Sequence, residues 1–204
     1  RDGACVQLVG GSFAAERVRR ADVMSVVDEW QEAGFSTLHV VDLDAACGGQ
    51  SNVQVVTQIL KRFSGSVQVG GGIASEDRVD RLFDQGVSSV VLGTRAILDR
   101  GFLERVIRKW PNRIVVAADV REQALMIRGW RDAASTSFDT FVESLEGLPI
   151  GGLLVTAVHV EGLLQGPDFK LYEGCTSRWP TCAVTASGGI RSIADLAQLE
   201  AQSV

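Results

Sequence analysis

Two glycine turns of one pattern stand 117 positions apart: Gly71-Gly72-Ile73-Ala74-Ser75 and Gly188-Gly189-Ile190-Arg191-Ser192. Each follows a short apolar run and precedes an amphipathic stretch. Glycine lets the backbone approach an anion, and the free N–H groups of a helix start point at it. Gly93-Thr94 closes another apolar run and adds a hydroxyl. One such turn is explained by backbone geometry alone. A matched pair predicts two phosphate sites, one from Gly71, Gly72, Gly93 and Thr94, the other from Gly188 and Gly189. The ligand is then a small molecule with a phosphate at each end.

Asp119 follows the apolar run Ile114–Ala118. A carboxylate at such a strand end is partly desolvated, which raises its pKa toward the range of a general acid. Thr156 ends the run Gly152–Val155, placed to hold a substrate hydroxyl or to orient Asp119. His159 lies in the loop beyond it, and Trp130 follows Gly129; both are candidate substrate contacts. Trp130 has the character of a loop aromatic that closes on a flat heterocycle. His39, inside a strand, reads as a core or interlayer histidine. Of Asp42 and Asp44, one is placed to touch substrate and the other to cap the following loop.

The elements that must position these residues alternate regularly. Apolar runs at Leu38–Leu43, Val67–Val69, Val87–Leu92, Ile114–Ala118, Gly152–Val155 and Cys182–Ala186 have the character of parallel strands covered on both faces. Amphipathic stretches at Ala21–Ala33, Asn52–Phe63, Glu76–Gln85, Gly101–Lys109, Ser137–Leu145, Phe169–Gly174 and Ile193–Leu199 have the length of crossover helices. This alternation predicts an α/β fold, with ligand at the carboxyl ends of the strands. Ala4–Leu8 is a further short element. Residues 9–20, with Gly10 and Gly11, read as a long loop with the profile of an active-site lid.

The glycine turns belong to a longer repeat. Leu38-His39-Val40-Val41 aligns with Leu153-Leu154-Val155-Thr156, 115 positions on, and Arg1–Leu8 aligns with Arg121–Arg128, 120 positions on. The repeat predicts one domain over residues 1–204, a (β/α)8 TIM barrel of two duplicated half-barrels that meet near residues 110–113. Strand 1 and strand 8 of that barrel are expected to lie outside the 204 residues, which fall short of the about 250 usual for the fold. The counterpart of Asp119 is expected two places ahead of Arg1.

Composition narrows the function classes. Hydrophobic residues make up 46% and charged residues 22%, with a net charge of −5. An acidic balance argues against nucleic acid or an anionic membrane as partner. No apolar run nears the roughly 20 residues of a membrane span, and no signal-peptide pattern opens the chain. A cytoplasmic monomer is expected. Cys5, Cys47, Cys175 and Cys182 form no C-x-x-C pair and lie far from both histidines, so they read as reduced thiols with no metal site.

Taken in order, Arg1–Leu8, His39–Asp44, Val67–Ile73, Leu92–Ala96, Arg128-Gly129-Trp130 and Ala186–Gly189 resemble the ProFAR isomerase family of histidine biosynthesis. The resemblance implies an aminoaldose-to-aminoketose (Amadori) rearrangement of an aminoimidazole-carboxamide ribotide carrying two phosphates, without a cofactor. It implies Asp119 as the general acid that helps open the ribose ring, Thr156 in support, and the glycines above as phosphate sites. The family's base, an Asp on the first strand, falls two residues before Arg1. Gln7 stands where the family often has Arg. Ala157–Leu163 stands in place of an Asp-Ile-x-x-Asp-Gly-Thr run, with Glu161 for the second Asp. The sister cyclase of the pathway, a dual histidine/tryptophan isomerase and a non-catalytic phosphate-binding barrel fragment are the alternatives.

Overall fold

In the computed structural model, which describes residues 1–204, each of the six apolar runs forms a strand. The chain runs β1 (Cys5–Val9), β2 (Ser12–Arg20), α1 (Val23–Glu32), β3 (Thr37–Val41), α2 (Leu43–Ala46), α3 (Val53–Arg62), β4 (Ser66–Gly70) and α4 (Glu76–Asp84). It continues β5 (Ser89–Leu92), α5 (Thr94–Leu98), α6 (Arg100–Lys109), β6 (Ile114–Arg121), β7 (Ala124–Ile127), β8 (Asp132–Ser137) and α7 (Phe138–Ser144). It ends β9 (Gly152–Ala157), α8 (Phe169–Arg178), β10 (Val184–Ser187) and α9 (Ile193–Ala201). Six strands lie parallel in the linear order β10-β9-β6-β5-β4-β3, and β7 and β8 extend β6 antiparallel. The fold is α/β with an open parallel sheet, and β3 and β10 are its two ends.

Side chains alternate across each strand. One face carries Val67, Val69, Val90, Leu92, Ile114, Val116, Ala118, Leu153 and Val155, all buried. These join Val79, Leu82, Phe102, Leu103, Val106, Ile107 and Tyr172 of the helices in one apolar cluster. The other face carries Gln68, Val91, Val115, Ala117, Asp119, Leu154, Thr156 and Thr185, and it holds the polar groups. Helix starts are fixed by Asp22, Asp42, Ser75, Asp99, Ser137, Asp168 and Ser192, whose side chains accept an N–H of the first turn. No helix is long and apolar enough to cross a membrane.

Two expectations are corrected. Residues 9–20 are not a long loop: Ser12–Arg20 is a strand, paired antiparallel with Cys5–Val9. Gly10 and Gly11 take φ of 57° and 68°, the left-handed pair that a two-residue hairpin turn demands. His39 is not in the apolar cluster: it pairs with Gln68 and stands on the polar-side face of the sheet.

Hairpins recur at the offset of 120. Asp2 and Gly3 (φ 49° and 71°) lead into β1–β2, and Glu122 and Gln123 (φ 48° and 72°) lead into β7–β8. Ser12 and Asp132, also 120 apart, each begin the returning strand.

Candidate active site

At the carboxyl ends of the strands one cross-sheet row runs Asp119 on β6, Thr156 on β9 and Ser187 on β10. Parallel register puts the three side chains on the same face. Burial pushes the Asp119 carboxyl above its ordinary value. Two donors facing it, the side chains of Trp130 and Thr156, pull the other way without cancelling that rise. A carboxyl so placed favours the protonated form and can deliver a proton.

Trp130 reaches Asp119 from the turn between β7 and β8. Arg128, Gly129 and Trp130 are three consecutive left-handed residues there, with φ of 54°, 65° and 67°. The ring rests on the tip of the β1–β2 hairpin, where a Cβ on Gly11 would strike it. The Thr94 hydroxyl accepts the Arg128 N–H at 2.8 Å, so the turn off β5 also touches this loop.

The structure adds Glu161, which sequence reasoning treated only as a departure from a family pattern. Its carboxyl is half-buried, raised first by burial and then by the charge of Asp119. Its Oε2 would lie 3.3 Å from a Cβ placed on Gly188. Two interacting carboxyls of this kind resist ionising together. The usable signal was a carboxylate five residues beyond a strand-end Thr, in a loop rich in glycine.

The loop between β9 and α8 is fixed on several sides. Gly10 donates its N–H to the Glu161 carbonyl at 3.3 Å, and Gly166 donates to the Gly189 carbonyl at 2.9 Å. His159 is not in the Asp119 cluster's hydrogen bonding; its Nε2 lies 3.3 Å from an Asp168 carboxylate oxygen, and Asp168 caps α8.

Four predicted phosphate glycines are also packing glycines. All have positive φ: 98° at Gly71, 66° at Gly72, 106° at Gly188 and 78° at Gly189. A Cβ at Gly71 would meet the Asp42 carbonyl, and at Gly188 the Ala157 carbonyl, equivalent positions 115 apart. At Gly72 and Gly189 it would collide with the carbonyls of Ala45 and Gly166. Gly93 has more room, with the Ala117 Cβ 3.9 Å away. It precedes α5 without a side-chain cap, and of the first turn the Ala96 N–H is taken by the Gly93 carbonyl while those of Thr94 and Arg95 have no such partner.

Both aspartates that follow β3 are hydrogen-bonded into the surrounding loops. Asp42 is buried and accepts from Ala45 N, Asn52 N, Asn52 Nδ2 and Ser51 Oγ. These donors hold its carboxyl below the usual range against its burial, which acts the other way. Asp44 accepts from Asn52 and from the Asp2 N–H, joining the hairpin base to this loop.

Behind the row, Tyr172 of α8 is fully buried, and its hydroxyl donates to the Ser187 carbonyl at 2.6 Å. Burial keeps the phenol protonated. This bond steadies the end of β10 just before Gly188. Tyr172→Phe is expected to cost about 1–1.5 kcal/mol, read as a lower urea midpoint at unchanged m-value. An unchanged midpoint would remove the bond from the stability account.

The four cysteines are unpaired, and burial pushes the Cys175 thiol up to about 12, which makes it unreactive. No cluster of three or more His, Cys, Asp or Glu side chains is arranged around a metal position.

A family model described as "Histidine biosynthesis protein" matches residues 1–204. A protein of Gemmatimonas aurantiaca is 47% identical over 202 residues, covering 98% of this chain and 84% of the relative. One from Myxococcus xanthus is 44% identical over 204 residues, with 98% and 84% covered. One from Clostridium botulinum is 34% identical over 201 residues, with 96% and 81% covered. All three are named 1-(5-phosphoribosyl)-5-((5-phosphoribosylamino)methylideneamino)imidazole-4-carboxamide isomerase.

Proposed function

The chain belongs to the histidine biosynthesis protein family, and from that premise we propose that it catalyses the isomerisation for which its relatives are named. The substrate is the ribotide in that name, a molecule with a phosphoribosyl group at each end. The reaction is the aminoaldose-to-aminoketose rearrangement, and the scaffold is a (β/α)8 barrel built from two half-barrels. The matched hairpins and their left-handed leading pairs, 120 positions apart, support the duplication.

The observation that carries the reading is Asp119: a carboxyl raised by burial, beside Thr156 and Trp130, at the carboxyl end of a parallel strand. Protonated Asp119 gives its proton to the ribose ring oxygen, and the ring opens to the C1 iminium (protonated Schiff base). Loss of the C2 proton from this cation to a carboxylate then gives the neutral enaminol, whose C2 hydroxyl proton moves to C1 to give the aminoketone. One proton enters and one leaves, so the rearrangement needs no redox partner. The family resemblance assigns removal of the C2 proton to an Asp at the first-half position that the repeat pairs with Asp119. Glu161 holds negative charge off Asp119 by sharing its site, and the mutual repulsion favours one proton on the pair. Phosphates are taken by backbone N–H groups at the Gly71-Gly72 and Gly93-Thr94 turns and at Gly188-Gly189. Thr156 orients Asp119, and Trp130 faces the imidazole.

The test is conversion of the aminoaldose ribotide by purified protein expressed from the complete gene, followed by the absorbance change of the product or by coupling to the next enzyme. Turnover is expected. A folded protein that binds the ribotide without converting it would overturn the catalytic reading in favour of a binding module.

A further inference from the structure

We propose that Thr94 is a positioning residue: by holding the Arg128 N–H it keeps the Arg128-Gly129-Trp130 turn in the conformation that lays the Trp130 indole beside Asp119. The inference rests on the reading of Asp119 above and deepens it.

The turn is costly to hold. Arg128 and Trp130 both have positive φ, a conformation that L side chains adopt only when their surroundings impose it. The flanking strands close its base by pairing Ile127 with Asp132, and three further contacts lie on the turn itself. The Arg128 guanidinium pairs with Asp132 at 3.1 Å, but both side chains are largely exposed and the pair is weak. The Trp130 ring lies on Gly11, which fixes the ring plane without fixing the backbone. That leaves the 2.8 Å bond from the Arg128 backbone N–H to Thr94 Oγ1, and it spans 34 residues of sequence. Thr94 itself is set by α5, which starts at Gly93 directly off β5, the neighbour of β6 in the sheet. Thr94 therefore ties the turn to the same sheet that carries Asp119.

A hydroxyl oxygen can accept one bond while its own proton is donated elsewhere. Thr94 can thus hold Arg128 and offer its O–H to a phosphate in the adjoining turn. Phosphate contact and aromatic placement then meet in one side chain.

The experiment compares Thr94→Val, which removes the acceptor, with Thr94→Ser, which keeps it, in protein expressed from the complete gene. Trp130 emission is isolated from that of the other tryptophans by parallel Trp130→Phe proteins, without ligand. Thr94→Val is expected to red-shift the Trp130 component, to lower kcat about tenfold, and to move the alkaline limb of the kcat profile upward as Asp119 loses a donor to its charged form. Thr94→Ser is expected to stay within about twofold of the parent on each reading. A Thr94→Val protein with raised KM but unchanged emission and unchanged limb would make Thr94 a phosphate contact only and overturn the proposal. If Thr94→Val does not fold, hydrogen exchange of the Arg128 amide in the parent decides: slow exchange supports the proposal and unprotected exchange overturns it. Full activity of Asp119→Asn would sink the catalytic reading instead, while leaving the ligand-free emission result to stand or fall separately.

Discussion

Asp119→Asn is expected to lower kcat by about 10²- to 10⁴-fold, with KM for the ribotide changed far less. The amide fills the same space and keeps partners in Trp130 and Thr156, so binding survives while the transferable proton is lost. The same substitution is expected to raise the melting temperature at pH 7. Asp119 has a folded-state pKa above its ordinary 3.8 because burial disfavours the charge. Above that ordinary value the folded protein binds more protons than the unfolded chain, so stability falls as pH climbs toward the raised pKa. Asparagine removes this penalty. The gain in melting temperature should therefore be present at pH 7 and vanish below the ordinary carboxylate range. A mutant with full activity would take Asp119 out of the mechanism. One that is inactive and also less stable at pH 7 would mean that the carboxylate is a structural ligand.

The largest stability loss is expected at Gly189. Its φ of 78° already disfavours any side chain, and a Cβ would collide with the Gly166 carbonyl. The collision cannot be relieved locally, because the Gly166 N–H is bonded back to the Gly189 carbonyl at 2.9 Å. Gly189→Ala should cost roughly 3 kcal/mol or more, by forced backbone movement and a broken hydrogen bond. Gly174 provides the contrast. It lies inside α8, where an added methyl would meet nothing within 4 Å, and its φ is not positive. Gly174→Ala should be neutral or stabilising by up to about 1 kcal/mol. Urea unfolding of the pair would show it, and equal midpoints would refute the packing argument.

These residues also show what a sequence can disclose. The apolar runs that became β4, β5, β6, β9 and β10 are legible because burial on both faces leaves few polar residues in them. Asp119 and Thr156 are legible because each stands where such a run ends, and register then makes them neighbours. β2 was not legible from its composition: Glu16, Arg17, Arg19 and Arg20 give it a charged look, since it pairs only with β1. The signal was the two-residue Gly10-Gly11 between pairable runs. His39 illustrates a different limit. Periodicity places it within a strand, but only the register with β4 says that it takes the polar-side face beside Gln68. Glu161 is a third case, because its approach to Asp119 depends on a loop folding back over the strand ends. The glycine turns were visible as turns, but their tight fit against carbonyls of the preceding loop is a tertiary fact.

The loop between β9 and α8 holds one further consequence. Surface connections usually tolerate an added or deleted residue with little penalty. Here Glu161 takes the hairpin tip's N–H, Gly162 passes close to the Leu8 carbonyl, and Gly166 meets Gly189, all within six positions. The spacing works as a ruler shared by three otherwise separate parts. A single inserted residue between Glu161 and Gly166 would put those parts out of step at once, however innocuous its side chain. Length, more than side-chain identity, is what this stretch must keep.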